Sequence, residues 1–68
     1  MNQGEANTAI NAAFNANGVN AHFVLEQAGN GQFNVIIRYG SPDAKRGAML
    51  AKQVLGAQFH EWRLSRPT

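Results

Sequence analysis

Apolar residues recur at helical intervals over residues 4–17, GEANTAINAAFNAN, where Ala6, Ala9, Ile10, Ala13 and Phe14 fall on one face. This pattern predicts an amphipathic helix. Gly18 follows where a chain leaves a helix in a left-handed conformation, and Val19 can pack back on the helix end. From Val19 the period changes. Residues 19–27, VNAHFVLEQ, and 32–39, QFNVIIRY, are rich in β-branched and aromatic residues and predict two strands. Parity of side chains sets their pairing, because opposed residues of a hairpin share a face. A two-residue Asn30-Gly31 loop would oppose Phe23 to Arg38 and mix the faces. A three-residue Gly29-Asn30-Gly31 loop opposes Phe23 to Ile37 and Leu25 to Val35, with Gly31 at the left-handed position. We therefore expect the three-residue loop.

A second helix is expected over residues 42–55. Ser41 suits the N-cap, Pro42 the first helical position and Asp43 the acidic first turn. Ala44, Gly47, Ala48, Ala51, Val54 and Leu55 form its apolar face, with Leu50 at the edge. Most are small, so this helix can lie close on its neighbours. Gly56 then stops the helix, and the aromatic content of QFHEWRLS predicts a third strand over residues 57–64. In a flat strand Trp62 and Leu64 face the core, His60 sits at its margin, and Phe59, Glu61 and Arg63 face outward. The alternative is a long C-terminal helix, since Leu55, Phe59 and Trp62 also lie at helical spacing.

The expected fold class is therefore α+β. It is a single-layer antiparallel sheet in an α-β-β-α-β chain, of strand order 2-1-3 through a right-handed crossover, with two helices on one face. The alternative is α-β-β-α. Residues 1–68 form one small domain, with 65–68 expected to fray. The sheet face away from the helices would carry Asn20, His22, Val24 and Glu26 opposite Asn34, Ile36 and Arg38. Val24 and Ile36 are the apolar pair in this polar surround, and Phe59 would extend it.

A chain of 68 residues has a stability of about 3–10 kcal/mol. There is no cysteine, which excludes disulfides and thiolate zinc sites. A secreted domain of this size would need such staples, so an intracellular, cytoplasmic location is expected. No apolar run approaches a membrane span, and the N-terminus lacks the marks of a signal peptide. Met1 reads as a native start, so a complete small protein is expected. Charge is divided unevenly. Residues 1–37 hold Glu5 and Glu26 and no Lys or Arg, whereas residues 38–68 hold all six basic residues and two acids. Such asymmetry suits a nucleic-acid or acidic-protein partner. Asn7, Asn11 and Asn15 form a stripe on the first helix, either plain solvated surface or an uncharged recognition face.

Residues 38–50, RYGSPDAKRGAML, raise the question of an anion site at a helix start. Lys45 and Arg46 lie there, with Arg38 upstream. The loop lacks the glycines and the Gly-Lys-Ser/Thr ending of a phosphate-binding loop, and Asp43 would repel an anion. It reads first as a well-made helix start. His22 and His60 fit no zinc pattern, and the four acids are scattered. No metal, cofactor or catalytic set is expected, so the chain reads as a non-enzyme.

One resemblance concerns HFVLEQAGNGQFNVII followed by KRGAMLAKQVLGA. It is faintly similar to HicA-type toxins, small ribonucleases with a double-stranded-RNA-binding-like fold. That resemblance implies a catalytic role for His22, with Arg46, Gly47 and Leu50 matching the family's helix start. Asn20 and Ala21 stand where the family has Gly-Ser, the family's first strand is missing, and a C-terminal segment is added.

The residues favour a non-enzymatic protein-binding module of inhibitor or adaptor type, of the kind encoded by phages and mobile elements. Its binding residues would be Val24, Ile36, Arg38, His22, Phe59 and Arg63, an apolar centre in a polar rim. The same patch could join two copies as a homodimer. The alternative is a basic nucleic-acid-binding protein that uses Arg38, Lys45, Arg46 and Lys52 on phosphates. It requires those side chains to converge.

Overall fold

A computed structural model describes residues 1–66 and contains two helices and a three-stranded mixed sheet, an α+β fold. The chain runs α1 (Gln3–Ala16), β1 (Phe23–Gly29), β2 (Gln32–Ile37), α2 (Ala44–Leu55), a 3-10 turn (Gly56–Gln58) and β3 (Phe59–Leu64). The third strand forms, and the long C-terminal helix does not. Gly56, at φ 55°, ends α2 in a conformation that side chains disfavour, and the chain turns into β3.

The ends of α1 are set by local chemistry. Asn2 Oδ1 accepts the Glu5 N–H at 2.8 Å, and Glu5 Oε1 accepts the Asn2 N–H at 2.9 Å. This capping box is written in the spacing Asn2-x-x-Glu5 and satisfies two otherwise free donors. At the other end Gly18 is left-handed, as expected, and the Val19 N–H bonds the Phe14 carbonyl at 2.9 Å.

Phe23 pairs with Ile37 and Leu25 with Val35, the register that parity requires. The loop differs from expectation. Asn30 and Gly31, at φ 54° and 73°, make a two-residue turn between Gly29 and Gln32. A bulge at Ala28 supplies the extra residue that restores parity, so a tight turn and unmixed faces coexist.

The strand order is β1-β2-β3, not 2-1-3, and the sheet is mixed rather than antiparallel, since β3 runs parallel to β2. The physical reason lies in β2. Val35, Ile36 and Ile37 are consecutive and all buried, and only a central strand gives both faces that much cover. β1 carries a single apolar residue, Val24, among polar ones on its outer face, and belongs at an edge. β3 is also not flat. It pairs Phe33 with Phe59 and then Asn34 with Glu61, so His60 is an extra, bulged residue. The bulge turns Phe59 to the core face together with Trp62, correcting the outward placement of Phe59.

Both helices cover one face. Ala6, Ile10 and Phe14 of α1 and Ala51 and Leu55 of α2 pack on Leu25, Phe33, Val35 and Ile37. The Phe14 and Phe23 rings meet edge to face at 5.3 Å. Gly47 is buried because α2 comes close here. A Cβ on it would stand 3.1 Å from the tip of the Phe14 ring.

α2 starts two residues later than expected. Neither Ser41 nor Asp43 caps it through a side chain. Instead Asp43 Oδ2 accepts the Asn20 N–H at 2.8 Å and Ser41 Oγ accepts the His22 N–H at 3.3 Å. Both side chains tie the helix start to the segment leading into β1. Ser65, expected to fray, instead extends the ladder. Its N–H bonds the Ile37 carbonyl at 2.8 Å, and its Oγ accepts the Tyr39 N–H at 3.0 Å. Residues 67 and 68 of that expected frayed end lie outside the described residues.

Candidate functional site

The sheet face away from the helices is the unusual surface. Alternation along β1 and β2 and the bulge in β3 bring His22, Val24, Glu26, Asn34, Ile36, Arg38, His60, Glu61 and Arg63 to this side. Ile36 sits in the middle, between Val24 and Arg63. It is only 7% exposed, although the sequence pattern places it in solvent with Val24, which is 61% exposed. The central position of β2 explains the difference, because Ile36 has a cross-strand neighbour on each side.

One of those neighbours spans the sheet. Arg63 Nη2 meets Glu26 Oε2 at 3.5 Å, so a β3 side chain reaches over β2 to a residue of β1. Arg63 is the direct cross-strand partner of Ile36, a position from which an arginine stem can cover an apolar neighbour while the guanidinium stays wet. Glu26 Oε1 also accepts the Asn34 amide N–H at 3.2 Å, and Asn34 Oδ1 lies 2.8 Å from His60 Nδ1. A carboxylate can only accept, which orients the Asn34 amide with its oxygen toward His60. His60 then donates from Nδ1. Arg63, Glu26, Asn34 and His60 form one chain across all three strands. Glu26 is where the sequence places it, on the rim of the open face, whereas Asn34 and His60 are not among the expected binding residues. The clue available was Phe59-x-x-Trp62, because two large aromatics three apart share a core face only if the strand bulges.

Beside this chain is a depression of about 240 Å³ lined by His22, Phe23, Val24, Ile36, Arg38 and Ser65. Its floor is carbon, and Arg38 and His22 stand at its rim. Five of the six expected binding residues thus lie on this face, and Phe59 does not. Phe59 packs at the core margin, where the Lys52 ammonium stands 5.8 Å from its ring centre.

The basic residues divide. Arg38 and Arg63 are on the open sheet face, whereas Lys45, Arg46 and Lys52 belong to α2 in the opposite layer. Arg46 is also held within the fold. Its guanidinium lies 3.4 Å from Asp43 Oδ1 and donates to the Asn17 carbonyl at 3.1 Å. The Asn20 N–H, and secondarily Arg46, holds the Asp43 carboxyl below its ordinary value of 3.8. The helix start is therefore an internal clamp. Met49 is exposed nearby, and Asn11 and Asn15 are exposed on α1.

Compared with family models, curated proteins and solved structures, the chain matches none. His22, the residue that the HicA-like pattern would make catalytic, is exposed just before β1, and its ring makes no hydrogen bond among the described residues. A general base is ordinarily oriented by such a bond. Gly47 of the same pattern packs against Phe14. Among the described residues no three His, Cys, Asp or Glu could hold a metal ion. No helix among them is long and apolar enough to cross a membrane.

Proposed function

We propose that this chain is a non-enzymatic protein-binding module of inhibitor or adaptor type. Its open sheet face would cover a surface of a partner protein. The observation that carries this reading is the pairing of an apolar depression with a far rim whose side chains are bonded to one another. Val24 and Ile36 supply the floor, Arg38 and His22 the near rim, and the Arg63–Glu26–Asn34–His60 chain the far one. Side chains fixed before binding lose less entropy on binding. The partner would offer an aliphatic or aromatic side chain for the depression and an acidic group for Arg38.

The test is a pull-down from cell lysate, split into nuclease-treated and untreated halves, with the native chain beside a Val24→Glu/Arg38→Glu variant. Both substitutions are at exposed positions and spare the buried Ile36. A protein retained in both halves by the native chain and lost with the variant is the expected result. Retention that disappears with nuclease, or that the variant leaves intact, overturns the reading.

A further inference from the structure

The two edges of the sheet are treated differently. Hydrogen bonds alternate along a strand, so the Arg38 N–H bond to the His22 carbonyl turns Leu25 to the outer edge of β1. That edge is guarded, because the Gln3 side chain donates to the Leu25 carbonyl at 3.1 Å. On the other side, the Ser65 N–H bond to the Ile37 carbonyl sets the parity of β3. Arg63 and Glu61 then point their backbone groups at β2, and Trp62 and Leu64 point theirs outward. Among the described residues no side chain bonds these outward groups. Leu64 is 41% exposed, and Trp62 is half-buried on the same edge. β3 has neither Lys nor Pro, which commonly blunt such edges.

The geometry points to a second copy of this chain as the occupant of that edge, paired antiparallel through β3 about a two-fold axis at Trp62. Charge selects this register. With Trp62 opposite Trp62 of the second copy, Glu61 opposes Arg63 on both sides of the axis; the Arg63 guanidinium, which meets Glu26 through Nη2, has further N–H donors for this second carboxylate, giving two ion pairs on the open face. Sliding one way opposes Arg63 to Arg63, and sliding the other way opposes Glu61 to Glu61. Like charges directly opposite are destabilising. Glu61 has no ion pair of its own among the described residues, so it is free for this one. Trp62, turned outward, exchanges two backbone hydrogen bonds with its counterpart. The bulge at His60 ends the regular pairing and keeps the contact short, so the dimer is concentration-dependent. Opposed residues share a face, and so the two open faces lie on the same side of a six-stranded sheet. The inference does not depend on what that face binds.

The test combines sedimentation velocity over a concentration series with backbone amide exchange by NMR. The native chain is expected to dimerise as concentration rises, with the Trp62 amide slowing by about tenfold or more as it gains a partner. Glu61→Arg and Arg63→Glu should each be monomeric, because each opposes like charges on both sides of the axis. Their equimolar mixture should associate, because one strand then carries two positive charges and the other two negative ones. A native chain that stays monomeric at its solubility limit overturns the inference. So does a dimer whose Trp62 amide exchanges as fast as in dilute solution, or a mixture of two folded variants that does not associate. If Arg63→Glu unfolds through repulsion by Glu26, the native amide readout decides alone. The Val24→Glu/Arg38→Glu variant should still dimerise, which separates failure of this inference from failure of the binding reading.

Discussion

Ile37 and Ile36 are adjacent in β2, both buried, and covered by opposite means. Ile37 lies under two helices and is sealed by carbon packed on carbon. Ile36 has no helix above it. Its cross-strand neighbours are Val24 on one side and Arg63 on the other, whose charged tip remains hydrated. The first arrangement is rigid because every atom removed leaves a void. The second can be lifted at small cost, because the Arg63–Glu26 pair is exposed and screened. One face of the sheet therefore holds the fold together, and the other is closed only lightly.

The largest expected effects fall on the helix face. Ile37→Ala should cost about 2–5 kcal/mol, enough to leave a chain of this size partly unfolded at room temperature. Ile36→Ala should cost less than half as much, because the side chains above it can settle into the space. Urea unfolding of both variants decides the point, and equal losses would abolish the distinction between the faces. Gly47→Val comes next, at about 1–3 kcal/mol, because its side chain must displace the Phe14 ring that packs edge-on to Phe23. If that variant is as stable as the native chain, α2 and α1 are not as closely packed as the 3.1 Å approach implies.

The same contrast explains what could be read from the sequence. The helix face was legible because it obeys periodicity. Ala6, Ile10 and Phe14 recur at helical spacing, and Phe23, Leu25, Val35 and Ile37 obey parity. The open face depends on two departures from periodicity. A bulge at Ala28 lets a two-residue turn keep the expected register, and a bulge at His60 reverses Phe59. An inserted residue has no signature of its own in alternation, so parity carried straight through residues 57–64 puts Phe59 on the wrong side. The strand order was recoverable, since the run Val35-Ile36-Ile37 is that of a central strand. The chain from Arg63 to His60 was less so: parity places Glu26 opposite Asn34, but His60 and Arg63 join them only through the parallel pairing of β3 with β2 and the bulge at His60.

Arg63→Ala tests directly whether the Arg63 stem covers Ile36. We expect a loss of about 0.2–1 kcal/mol for the pair with Glu26, diminishing as salt is added, together with a salt-independent part from the newly wetted Ile36. Denaturation at low and high ionic strength separates the two. A loss that salt removes entirely would mean that the Arg63 stem contributes no cover and that Ile36 is protected by Val24 and the strand itself.

The smallest effect at neutral pH belongs to Asp43, where the helix layer is fastened to the approach to β1. The Asn20 N–H and Arg46 both favour the carboxylate, so its pKa in the folded chain lies below the ordinary 3.8. A depressed carboxyl stabilises the fold wherever it is ionised in both states. That contribution is complete above 3.8 and is lost as pH falls through the folded value. Asp43→Asn retains an oxygen that can accept from Asn20 but cannot titrate. Urea midpoints measured down an acid series should therefore fall less steeply for the variant, with the two chains converging as the acid is increased. An unchanged slope would mean that the Asp43 fastening contributes nothing to the acid sensitivity of the fold.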